Sequence, residues 1–60
     1  MTLREEAIAR RALRKSNVRR ADGFNVHEDV VSGSMAKMVL SGERLSEADW
    51  RSLEDYAVKP

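Results

Sequence analysis

Two glycines set the plan of this 60-residue chain. Gly23 and Gly42 each follow a long run of helix-forming residues, and Gly23 stands where a left-handed residue closing a helix is expected. The chain therefore reads as helix, turn, helix, turn, helix, and Pro60 ends it. No repeat, low-complexity segment or linker interrupts it. The expectation is a single all-α domain over 1–60, with three short helices at 2–22, 26–41 and 46–57 that wrap a partner protein.

Each helix carries its own start signal. Thr2 with Glu5 three residues on is a capping box, and Leu3 to Ala21 is built mainly from Ala, Arg, Leu, Glu and Lys, all strong helix formers. Its apolar residues are poorly sorted. Leu3, Ala7, Val18 and Ala21 share one face, while Ile8 and Ala12 lie well round from them and Leu13 further still. A helix of this kind has no single stripe to bury in its own small domain, so it is expected to pack on a second protein through more than one face. Asn25 with Glu28 offers another capping box, and Val31, Met35, Met38 and Val39 recur at helical spacing. Gly33 costs roughly 1 kcal/mol against Ala in a helix interior, so Ser32-Gly33-Ser34 is a candidate break, with Ser34 capping a second piece. The third start is the clearest: Ser46 with Asp49 forms a Ser-x-x-Asp box, and Leu45 and Trp50 flank it as a hydrophobic staple. Trp50, Leu53 and Ala57 follow on one face, with Tyr56 beside them. Trp50 is expected at the centre of a small core with Leu45, Met38, Val39 and Leu53, the methionines serving as filler.

A chain this short hides only about 60% of the surface its unfolded form exposes, so its independent stability is marginal without a staple. It has no cysteine, hence no disulfide, no thiolate nucleophile and no Cys-based zinc site. A bound partner is then the expected source of further stability. The net charge of +1 conceals a split: seven basic residues against two acidic through Arg20, then four basic against eight acidic. A basic helix of this sort suits an acidic surface or nucleic acid. No apolar run approaches membrane-spanning length, and MTLREEAIARR has charges where a signal peptide needs its apolar core, so no membrane association and a cytoplasmic location are expected.

Chemistry of its own is not expected. The sequence has no glycine-rich phosphate loop, no HExxH and no nucleophile elbow, so no enzyme activity, cofactor or metal is assigned. His27-Glu28-Asp29 is the one place where an imidazole and carboxylates adjoin, and adjacent helical residues diverge, so it reads as acidic charge at a helix start. Arg10, Arg11, Arg14, Lys15, Arg19 and Arg20 could contact phosphates, which makes a small DNA- or RNA-binding regulator the alternative function. Against it, these cations spread round the helix, no aromatic is interleaved, and the remaining forty residues are net acidic.

The informative stretch is Ser16-Asn-Val-Arg-Arg-Ala-Asp-Gly-Phe24. A carboxylate at a helix C-terminus faces the negative end of the macrodipole, so Asp22 is best explained by a cation supplied from outside, although Asp-Gly is also ordinary turn chemistry. An arginine takes a carboxylate bidentately, in the geometry it uses for phosphate. A carboxylate can thus imitate a nucleotide phosphate.

On these residues the chain resembles the small antitoxins of Fic-domain toxins, the VbhA type, whose inhibitory helix ends in Ser/Thr-x-x-x-Glu-Gly/Asn followed by an apolar residue. Here Val18-Arg-Arg-Ala-Asp22-Gly23-Phe24 takes the motif's place, Val30-Val31 opens the second helix, Ser41-Gly42-Glu43 makes the Gly-Glu turn, and Ser46 to Tyr56 is the third helix. Val18 stands for the hydroxyl residue, with Ser16 or Asn17 as possible substitutes from a shifted register, and Asp22 is one methylene shorter than Glu. The resemblance implies a Fic-type AMP transferase (adenylyltransferase) as partner, in a heterodimer or larger hetero-oligomer. It also implies that Asp22 competes for the arginine that would hold the γ-phosphate of ATP, that Gly23 allows close approach, and that Phe24 anchors beside the site. Leu13, Arg14, Arg19 and Arg20 are the further partner-binding candidates.

Overall fold

The computed structural model describes residues 2–24 and 26–59. Among them the chain forms α1 (Leu3–Ala21), α2 (His27–Leu40) and α3 (Glu47–Val58), with no strand. The α1 start is the expected capping box, with the Glu5 backbone N–H donating to Thr2 Oγ1 at 3.1 Å and the Thr2 N–H returning to Glu5 Oε1 at 2.8 Å. These contacts hold the Glu5 carboxyl below its ordinary range. At α3, Ser46 Oγ accepts from the Asp49 N–H at 3.2 Å. The box expected of Asn25 and Glu28 involves Asn25, which lies outside the described residues; Val26 occupies the N-cap place of α2.

Both glycine stops close as Schellman turns. Gly23 has φ +93° and Gly42 φ +89°, a region that costs a side chain but not glycine. At the first, the Phe24 N–H reaches Arg19 O and the Gly23 N–H reaches Arg20 O; at the second, Glu43 reaches Met38 O and Gly42 reaches Val39 O.

The most extensive contact in the fold is between α1 and α2, and it is made by small residues. Ala9, Ala12 and Ser16 of α1 are buried, as are Ser32, Gly33 and Ala36 of α2. Gly33 does not break α2, which runs unbroken from His27 to Leu40. Its lack of a side chain serves the crossing instead: a Cβ there would stand 2.6 Å from Ser16 Oγ and 3.3 Å from Ser16 Cβ. The face carrying Leu3, Ala7, Val18 and Ala21 is exposed along its length, Leu3 at 86% and Val18 at 53%.

Close helices leave little room between them. The core comprises Ala9, Ala12, Met35, Ala36, Val39, Leu53, Tyr56 and Ala57, with Leu53 fully buried on α3. Trp50 is therefore not its centre. It sits half-buried at the edge with Ile8, Leu13, Leu40 and Leu45, because alanine-sided helices approach too closely to admit an indole between them. Trp50 and Leu45 line the same hollow at the start of α3. Of the expected α2 stripe, Met35 and Val39 are buried while Val31 and Met38 remain exposed, so Met38 is not core filler. Arg4 meets Glu54 and Lys15 meets Tyr56 and Lys59, so α3 runs in the same sense as α1. No helix among the described residues is long and apolar enough to cross a membrane.

Candidate functional site

The candidate site is the end of α1 and the turn after it. Asp22 is the C-cap residue and is exposed, Gly23 follows in the left-handed region, and the Phe24 ring is 49% exposed. The last turn of a helix presents unpaired carbonyl oxygens, so a carboxylate there adds negative charge to a negative end. No ion pair to Asp22 forms among the described residues, and the arginines beside it, Arg19 and Arg20, are aimed elsewhere or exposed.

Arg19 decides the shape of this turn. Its Nε donates to both oxygens of Asp29, at 2.9 and 3.0 Å, and its guanidinium lies over the Phe24 ring with 4.5 Å to the centroid. In a Schellman turn the residue three before the cap normally meets the second residue after it through an apolar contact. Here that pair is Arg19 and Phe24, and a cation over an aromatic face takes the place of the hydrocarbon contact. The pairing with Asp29 raises the Arg19 pKa further.

Asp29 is the anchor behind the turn. It sits in the first turn of α2, is only 2% exposed, and accepts the Tyr56 hydroxyl hydrogen bond in addition to Arg19. The Tyr56 hydrogen bond first, and Arg19 next, hold its carboxyl below the usual range against the opposing effect of burial. Tyr56 is pushed up to about 12, by burial and by the adjacent carboxylate. Ser16 Oγ donates to the Asp29 carbonyl oxygen at 2.6 Å, and Lys15 Nζ donates to Tyr56 O at 2.8 Å while lying 4.2 Å from the centroid of that ring. One carboxylate thus ties all three helices together, and no buried side-chain polar atom among the described residues lacks a partner.

Several site residues read from the sequence converge here and several do not. Asp22, Gly23 and Phe24 are presented together. Val18 is exposed one turn before Asp22. Ser16 points inward, so its hydroxyl is committed to α2 rather than presented beside Asp22. Arg14 and Arg20 are exposed, Leu13 is half-buried against the core, and Arg19 is held by Asp29. Sequence reasoning assigned Asp29 only to helix-end charge. The signal for its real role was Ser16, Arg19 and Tyr56, each polar yet lying on the inward face of a helix. Among the described residues no three His, Cys, Asp or Glu side chains gather as a metal would require.

No family model, curated protein or solved structure matches the chain.

Proposed function

We propose that this chain is an antitoxin that binds a Fic-type AMP transferase and blocks productive ATP binding with the Asp22 carboxylate. The supporting observation is the exposed, uncompensated carboxylate of Asp22 at the closing turn of α1, next to a left-handed glycine and a half-exposed phenylalanine. A carboxylate in so unfavourable a place gains most from an arginine brought by another molecule, and an arginine poised for a γ-phosphate has the matching geometry. Gly23 lets the partner's backbone come close. The exposed face of α1 with Leu3, Ala7, Val18 and Ala21 supplies apolar area for the contact. The protein acts as a stoichiometric inhibitor in the cytoplasm, with no catalysis or cofactor of its own.

The reading is tested by asking whether a Fic-domain AMP transferase is encoded beside the chain and by mixing the chain with that enzyme. A stable complex is expected, with AMP transfer from ATP falling linearly to zero as the chain reaches equivalence. Full transfer activity in the presence of excess chain contradicts the reading.

A further inference from the structure

The exposed face of α1 that carries Val18 extends on one side toward the end of α3. A concave groove of about 460 Å³ is bordered there by Arg11, Arg14, Lys15 and Lys59 over a floor of Val18 and Ala57. Arg19, whose guanidinium is held by Asp29, also lines the groove, and no carboxylate does. Three other cations on α1 are paired, Arg4 with Glu54, Arg10 with Glu6, and Arg19 with Asp29, while Arg20 is exposed. Arg11 and Arg14 are exposed and form no ion pair among the described residues, and they stand three apart on the helix with Lys15 four from Arg11. Like charges at that spacing destabilise a helix by a few tenths of a kcal/mol per pair, and no acidic residue sits at i±4 from Arg11 or Arg14 to offset it.

We propose that this α1/α3 groove docks an acidic segment of a partner protein, with an apolar side chain seated on Val18 and Ala57 beside carboxylates held by Arg11 and Arg14. Charge complementarity calls for an anionic occupant, since no carboxylate lines the groove and Arg11 and Arg14 form no ion pair among the described residues. Lys59, by contrast, lies 3.9 Å from Glu28, and Lys15 is held by the carbonyl oxygens of Tyr56 and Lys59. The apolar floor selects a polypeptide, because a phosphate backbone has nothing to place on Val18 and Ala57. A nucleic acid would also carry its closely spaced charges past Asp22, which lies one helical turn beyond Val18. The proposal rests on the antitoxin reading only in taking the AMP transferase as the owner of that segment.

The test has two arms. In the first, the full chain is titrated with a synthetic peptide alternating glutamate and leucine, with its glutamine counterpart, and with a 20-base-pair DNA duplex, while backbone resonances are followed by NMR. The acidic peptide is expected to shift Arg11, Arg14, Val18, Ala57 and Lys59 in a salt-sensitive manner, the glutamine peptide not, and the double variant Arg11→Glu/Arg14→Glu to weaken binding roughly tenfold or more. Absence of shifts at these residues with the acidic peptide, or tighter binding of the duplex at 150 mM salt, overturns the proposal. In the second arm, affinity for a Fic-domain AMP transferase is measured for the wild type and for the same double variant. Weakened binding with complete inhibition at saturation is expected, because Asp22 is intact. Equal affinity of the two proteins overturns the groove's role toward that partner, whereas failure of the wild type to bind at all sinks the antitoxin reading and leaves the first arm standing.

Discussion

Asp29 joins more of this molecule than any other side chain, since α1 reaches it through Arg19, α3 through Tyr56, and α2 carries it. Its removal leaves a buried hydroxyl and a half-buried guanidinium without their acceptor, and the unmet partner is what makes such losses large. Tyr56→Phe is the milder change: it deletes one donor to a carboxylate that still keeps Arg19, and the expected cost is about 1.5 kcal/mol, the low end for a charged acceptor. Urea unfolding at pH 7 measures this, and an unchanged midpoint would show the hydroxyl to be dispensable. The same pair predicts a pH window. The folded Asp29 pKa lies below the unfolded one, so the stability it contributes is fully present above the unfolded value, about 4, and is lost as pH falls through the folded pKa. For Tyr56 the folded value of about 12 lies above the unfolded 10.0, so its contribution is present below pH 10 and disappears as pH rises toward 12. Asp29→Asn should flatten the acid side of the profile, and Tyr56→Phe the alkaline side.

The helices succeed by closeness rather than by bulk. Gly33→Ala brings a methyl group to 2.6 Å from a Ser16 hydroxyl that the Asp29 carbonyl oxygen holds in place, so the roughly 1 kcal/mol gained in helix propensity is outweighed by an overpacking cost of about 1 to 3 kcal/mol. Net destabilisation is expected, with partial relief in the Ser16→Ala/Gly33→Ala double variant, and a thermodynamic cycle from urea midpoints reads both. A stabilised Gly33→Ala protein would mean that α1 and α2 are further apart than described. Leu53→Ala should cost about 2 to 5 kcal/mol, and Trp50→Ala distinctly less, because Leu53 is enclosed whereas Trp50 keeps one side open to water. The reverse order in thermal melts would restore the tryptophan to the centre. Helix limits were legible in the sequence because caps are local: Thr2, Glu5, Gly23, Gly42 and Ser46 act on backbone within a few residues. The inward faces were not. A hydrophobic pattern cannot find a crossing made by Ala9, Ala12, Ser16 and Gly33, and it overvalued Met38 and Trp50 because both recur at helical spacing. Asp29 was hidden for the same reason, since its burial depends on Arg19 and Tyr56, which are distant in sequence.

At the scale of the whole molecule the fold is as tight as its length allows, with a radius of gyration of 10.6 Å against about 10.4 Å expected for a compact 60-residue domain. That compactness orients the two surfaces of α1. The inner one is spent on α2 and α3, and the outer one, from Leu3 through Val18 to Asp22, is left to meet something else. Legibility at this scale was uneven: the Asp22-Gly23-Phe24 presentation follows from one residue's place at a helix end, whereas the groove beside Lys59 needed α3 to be laid against α1. The central claim is that Asp22 stands in for a nucleotide phosphate, and one measurement addresses it directly. AMP transfer from ATP is assayed in the purified complex of the transferase with the Asp22→Asn chain, a change that keeps size but removes the charge and one of the two acceptor oxygens that a bidentate arginine uses. The account predicts that the complex still forms while AMP transfer returns to most of the uninhibited rate. Transfer that stays fully suppressed in an intact Asp22→Asn complex would contradict it, and inhibition would then come from covering the cleft.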